Sequence, residues 1–117
     1  MEESIMKTEV KYENEVTVVA VDGSVDALTA PELAKAIVDE IAEGRVNLVV
    51  DLTGVEFMSS AGLRTLLGAV KESRSQGGDL RIASSNPGVD KVLKMSGFHN
   101  IAKVFSSDAD AVASFGM

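Results

Sequence analysis

The stretch Val46 to Leu52, which reads Val-Asn-Leu-Val-Val-Asp-Leu, constrains the fold more than any other part of the chain. It is nearly continuous in apolar residues and rich in β-branched ones, as expected of a strand covered on both faces. Such a strand belongs inside a parallel sheet, and parallel neighbours need crossover connections, usually helices. The flanking sequence supplies them. Before it, Thr29-Ala30-Pro31-Glu32 is a helix start, with Thr29 as cap, Glu32 reaching back and Pro31 in the first turn. Leu33, Ile37 and Ile41 then fall on one face, with Val38 beside it and Asp39, Glu40 and Glu43 towards water, until Gly44 ends the helix. After it, Leu63, Leu66, Leu67 and Val70 predict a second helix over about 60–74, closing at Gly77-Gly78.

The rest of the chain continues the alternation. Two β-rich runs, Met6 to Tyr12 and Val16 to Asp22, are separated by Glu13-Asn14-Glu15, short enough for a hairpin. Leu80 to Ala83 is a third buried strand, and Asn86-Pro87 opens a helix through Val89, Val92 and Leu93 that stops near Gly97. A short strand at Val104-Phe105 and a last helix over 107–115, with Ser107 and Asp110 spaced as a capping box, complete the order β-β-α-β-α-β-α-β-α. The class is α/β: a mostly parallel central sheet with an N-terminal antiparallel hairpin strand and about four helices. At 117 residues, without repeats, low-complexity tracts or a linker, a single domain over 1–117 with its core at 6–115 is expected.

Composition excludes several functions. Eighteen acidic residues against eleven basic give a net charge of −7, the wrong sign for affinity built on neutralising phosphates, so direct nucleic-acid binding is not expected. Basic residues are scattered, no apolar run approaches the ~18 residues of a membrane span, and no secretory signal is recognisable. A cytoplasmic protein without membrane insertion is the expectation. There is no cysteine, only one histidine (His99), no Gly-x-Ser-x-Gly and no phosphate-binding glycine loop, so neither an enzyme nor a cofactor is expected. Asp22, Asp26 and Asp51 read as solvated or capping loop acids, and no metal is expected. His99 reads as an ordinary residue beyond a helix stop, and Phe57 and Met58 as core plugs beneath the next helix. A receiver domain would also place an aspartate at a central strand end, as Asp51 is placed. Receivers, however, begin with a strand leading straight to a helix and carry an acidic pair after that strand; this chain begins with a hairpin.

The segment Asp51-Leu-Thr-Gly-Val-Glu-Phe-Met-Ser-Ser-Ala-Gly-Leu63 joins a buried strand to a helix, and loops beyond the carboxyl ends of parallel strands are where such folds carry function. Ser60 falls at or just before the first turn, where unpaired amides and the helix dipole favour a phosphate. The segment resembles the signature of the STAS domain, in particular of bacterial anti-sigma factor antagonists. Gly23-Ser-Val-Asp-Ala-Leu-Thr-Ala30 resembles the family's loop before its first helix, and Leu93-Lys-Met-Ser-Gly-Phe98 the end of its third. The resemblance implies that Ser60 is the phosphorylated serine and Asp26 an acidic residue beside it. It also implies a partner surface of Ser24, Asp26, Ser59, Ser60, Ala61, Gly62 and Arg64.

One position departs from the pattern. Several antagonists of the family have aspartate before the phosphorylated serine, where this chain has Ser59, which becomes a second candidate acceptor. The function implied is partner switching: the unphosphorylated chain binds an anti-sigma factor with serine kinase activity, phosphorylation of Ser60 ends the binding, and a serine phosphatase restores it. If Asp22 and Asp26 share a rim, the added charge meets an already acidic surface. The alternative within the family is an accessory subunit of a membrane transporter or a signalling scaffold, binding protein without sigma-factor control.

Overall fold

The computed structural model describes residues 5–116. Its elements are β1 (Met6–Glu13), β2 (Val16–Val25), α1 (Ala30–Ala42), β3 (Asn47–Met58), α2 (Ser60–Ser75), β4 (Asp79–Ala83), α3 (Pro87–Met95), β5 (Val104–Phe105) and α4 (Asp108–Ala113), with a 3-10 turn at Phe98–Asn100 before β5. The order matches the sequence reading. Strands lie in the order β1-β2-β3-β4-β5, with β1 antiparallel to β2 and every other pair parallel. The hairpin is tighter than expected: Glu13 pairs with Val16, leaving Asn14-Glu15 as the loop, both at positive φ (50° and 65°). That is the backbone of a type I′ turn, whose twist suits antiparallel strands.

The parallel strands add in one direction, and the three crossover helices stack on one face. Leu33, Ile37 and Ile41 of α1, Leu66, Ala69 and Val70 of α2, and Val89 and Leu93 of α3 share a core with Val19, Val21, Leu48, Val50, Leu80 and Ile82. Crossovers of one hand on strands that add in one direction have this outcome. The second face of the sheet carries a smaller core, in which Ala111 and Val112 of α4 cover Val16, Val18, Val49 and Ala83, with Phe105 and Phe115 against them.

Two expectations need correction. The residues after Leu52 are not a loop: β3 runs on to Met58, paired with β2 as far as Val25, whereas β4 ends at Ala83 opposite Asp51. Past the end of β4 the sheet therefore narrows to an arm of β2 and β3, with β1 alongside as far as Gly23. Register shifts between Ala20 and Asp22 and between Gly23 and Ser24 break the period of two along it, which disguises it in the sequence. Secondly, Thr29 gives α1 no side-chain cap. Asp26 instead builds the turn that leads into α1, its Oδ1 accepting from Leu28 N at 2.9 Å and Thr29 N at 3.1 Å while its carbonyl accepts from Ala30 N at 2.8 Å. Thr29 Oγ1 instead donates to the Ser24 carbonyl at 2.7 Å and accepts from Asp26 N at 3.0 Å. The expected caps of α3 and α4 are present. Asn86 Oδ1 accepts from Gly88 N and Val89 N, and Ser107 Oγ accepts from Asp110 N.

Candidate functional site

The arm brings the ends of β2 and β3 together at the carboxyl end of the sheet. Ser59 N donates to the Val25 carbonyl at 2.8 Å, so the turn entering α1 and the start of α2 abut. On the other side Asn86 Nδ2 donates to the Val55 carbonyl, tying the start of α3 to the arm. Three helix starts thus frame one rim.

The two adjacent serines on that rim have different tasks. Ser59 is the N-cap of α2, half-buried in extended backbone; its Oγ accepts from Gly62 N at 3.2 Å and its carbonyl from Leu63 N at 3.0 Å. Its hydroxyl is engaged in holding the first turn. Ser60 is the first helical residue; it is exposed, and its hydroxyl makes no hydrogen bond among the described residues. An acceptor hydroxyl must reach the active site of another protein, and Ser60 meets that requirement as it stands. Ser59 would first have to give up its cap, a loss of about 1 kcal/mol.

Gly62 is buried, and its place on the candidate partner surface is one of packing. A methyl there would lie 2.5 Å from Met58 Sδ and 2.7 Å from Val25 Cγ1, so only glycine lets α2 settle this closely on the arm. Ala61 and Ser24 are half-buried, and Arg64, one turn beyond Ser60, is exposed. Asp26 follows Val25, whose carbonyl accepts from Ser59 N, and one of its carboxylate oxygens builds its own turn. Asp22 is exposed in the arm and packs over Gly54, where a Cβ would meet Asp22 Oδ1 at 1.8 Å. Asp51 Oδ1 accepts from Thr53 N at 2.9 Å. Among the described residues no group of three His, Cys, Asp or Glu side chains is placed to hold a metal ion, and no helix is long and apolar enough to cross a membrane. His99 is exposed in the turn after Gly97.

Sequence reasoning missed the apolar part of the rim. Phe57, expected as a core plug, is 55% exposed, and Leu28 in the Asp26 turn is 78% exposed; Met58 is buried as expected. The bulged arm turns Phe57 outward, where it borders a groove with Gly88, Val89 and Val92 of α3. Leu28 sits inside a side-chain-capped turn, so no strand or helix period reports its direction.

The chain matches the STAS domain family over residues 7–111. An anti-sigma F factor antagonist of Paenibacillus polymyxa is 28% identical to it, over 92% of each chain. The anti-sigma-F factor antagonist RsfB of Mycobacterium tuberculosis is 30% identical, over 85% of this chain and 80% of its own. The crystal structure of an anti-sigma factor antagonist from Mycobacterium paratuberculosis superposes with a TM-score of 0.87 at 28% identity, over 94% of this chain and 93% of that one. The protein is a member of the STAS domain family, and these relatives within it are named as anti-sigma factor antagonists.

Proposed function

We propose that the protein is an anti-sigma factor antagonist that works by partner switching, with Ser60 as the phosphoacceptor. The observation that carries the site assignment is the division of labour between the serines: Ser59 is held as a cap by Gly62 N, while the Ser60 hydroxyl is exposed and makes no hydrogen bond among the described residues. The kinship with named antagonists supports the partner class. In this reading the unphosphorylated rim, with Asp26, Ser60 and Arg64 exposed or half-exposed around it, binds an anti-sigma factor that is also a serine kinase. The kinase transfers the γ-phosphoryl of ATP to Ser60 Oγ, ADP leaves and the hydroxyl proton is lost. A serine phosphatase hydrolyses the ester to inorganic phosphate and the free hydroxyl.

Phosphorylation brings about −1.5 to −2 charges to a rim that already carries Asp26. Because Ser60 projects outward from the first helical turn, the phosphoryl group needs no refolding to be accommodated. The change is therefore felt at the interface. The protein itself is a binding module in this account, with no catalytic role.

Titration calorimetry tests the reading with the kinase-type anti-sigma factor of the same organism. Unphosphorylated protein binds it, and protein carrying phosphoserine at position 60 binds at least tenfold more weakly. Equal affinity of the two forms refutes the switch. Failure of the unphosphorylated form to bind any such factor refutes the sigma-factor role and favours the transporter or scaffold reading.

A further inference from the structure

The chain has four arginines, and three of them are held in ion pairs: Arg45 with Glu40 at 2.8 Å, Arg74 with Asp79 at 2.9 Å and Arg81 with Asp79 at 3.1 Å. Arg64 makes neither a hydrogen bond nor an ion pair among the described residues, and it stands exposed on α2 one turn beyond Ser60. Its helical neighbours at three and four residues' distance are Ser60, Ala61, Leu67 and Gly68, none of which is charged. The stem of Arg64 lines the groove between α1 and α2 with Val38, Gly68 and Glu72, yet Glu72 does not pair with it. A long, flexible cation is therefore kept one helical turn from the acceptor serine with no partner among the described residues.

We propose that Arg64 is the intrachain partner of the phosphoryl group on Ser60, closing a bridge across one helical turn in the phosphorylated state. The inference rests on Ser60 being the acceptor. Side chains four apart on a helix lie about 5–6 Å apart at Cβ, and an anion N-terminal to a cation is the favourable order. A guanidinium matches two phosphate oxygens with two parallel N–H donors, so the bridge is directional as well as charged. The next cation along α2 is Lys71, eleven positions from Ser60 and roughly 16 Å along the axis, outside reach. Glu72, which lines the same groove as Arg64, is acidic and repels a phosphate, and Lys35 on α1 is paired with Asp39 at 2.8 Å.

The bridge changes what phosphorylation does at the rim. In the unphosphorylated protein Arg64 offers a positive charge to an acidic group on a partner. Once Ser60 is phosphorylated, Arg64 is drawn to the phosphate, so the rim gains negative charge and withdraws a neighbouring cation in the same event.

The test uses full-length protein with phosphoserine incorporated at position 60 during translation, so that no kinase is needed. The second ionisation of the phosphate is followed by phosphorus NMR titration. In the Arg64→Ala variant it moves upward by about 0.4 pH unit relative to the native sequence. Arg64→Lys, which keeps the charge and loses the fork, falls between the two, and Lys71→Ala leaves the titration where it was. The difference between native and Arg64→Ala shrinks as salt is raised to 1 M. Identical titrations for native and Arg64→Ala protein overturn the bridge, and so does an equal shift with Lys71→Ala, which would indicate bulk charge alone. Because the phosphoryl group is installed directly, this result is independent of whether cells phosphorylate Ser60. Absence of the cellular modification would remove the switch and leave the titration standing.

Discussion

At the amino ends of the parallel strands every arginine is engaged. Arg74 and Arg81 converge on Asp79, Arg81 also lies 4.0 Å from the Phe115 ring centroid, and Arg45 pairs with Glu40 while lying 5.0 Å from the Tyr12 ring centroid. At the carboxyl ends Arg64 and the Ser60 hydroxyl make no such contacts among the described residues. The contacts at the amino ends also shift titrations. Burial alone raises the Asp79 carboxyl, and the hydrogen bonds from Arg74 and Arg81 outweigh it, holding the group below its ordinary value. The hydrogen bond from Tyr12 to Glu40 pushes the phenol up. The arginines of one end already have their partners, whereas at the other the proposed acceptor hydroxyl and Arg64 have none among the described residues.

The largest expected effect breaks the scaffold without touching the rim. Leu66→Ala removes a fully buried side chain from the α2 face of the core and should cost about 2–5 kcal/mol in denaturant unfolding. Affinity for the anti-sigma factor should hold in the fraction that stays folded. Gly62→Ala comes next, because its methyl meets Met58 and Val25 directly under the switch turn. A loss of about 1–3 kcal/mol is expected by the same measurement, together with weaker partner binding, since α2 must lift from the arm.

Ser59→Ala should cost about 1 kcal/mol through the lost cap yet leave phosphorylation of Ser60 intact in a peptide map, which sharpens the contrast between the serines. The smallest effect lies at the amino end. The Asp79 carboxyl titrates lower folded than its ordinary 3.8, so its contribution to stability is fully present above the unfolded value. That contribution is lost as pH falls through the unfolded value and then the folded one. Asp79→Asn should flatten the acid limb of a stability-versus-pH curve below about pH 4 and leave the limb above pH 6 unchanged.

What could be read from the sequence was whatever local chemistry decides. Asn86-Pro87 and Ser107 cap the helices expected of them, Leu33, Ile37 and Ile41 are buried, and Ser60 opens α2. The misses share a cause in tertiary pairing. The arm at the end of β3 exists because β2 supplies a partner strand, and its bulges erase the alternation that would have announced it. Phe57 was expected inside because an apolar residue before a helix commonly anchors it, and the same bulges turn it out. Thr29 does not cap α1 with its side chain because its hydroxyl is drawn back to the Ser24 carbonyl in the turn that Asp26 builds, a tertiary choice that composition alone does not decide. The isolation of Arg64 was half legible. That no acidic residue stands three or four positions from it is plain in the sequence, whereas the lack of an ion pair with Glu72 or with α1 among the described residues needed the structure.

Intact-protein mass spectrometry with peptide mapping, on the chain purified from its own cells, tests the central claim most directly. One phosphoryl group on Ser60 of the native protein, gone in Ser60→Ala and retained in Ser59→Ala, is the result this account predicts. An unmodified chain through growth, starvation and stress, or a phosphoryl group that maps to Ser59 or elsewhere, would contradict it and leave a STAS binding module without a serine switch at position 60.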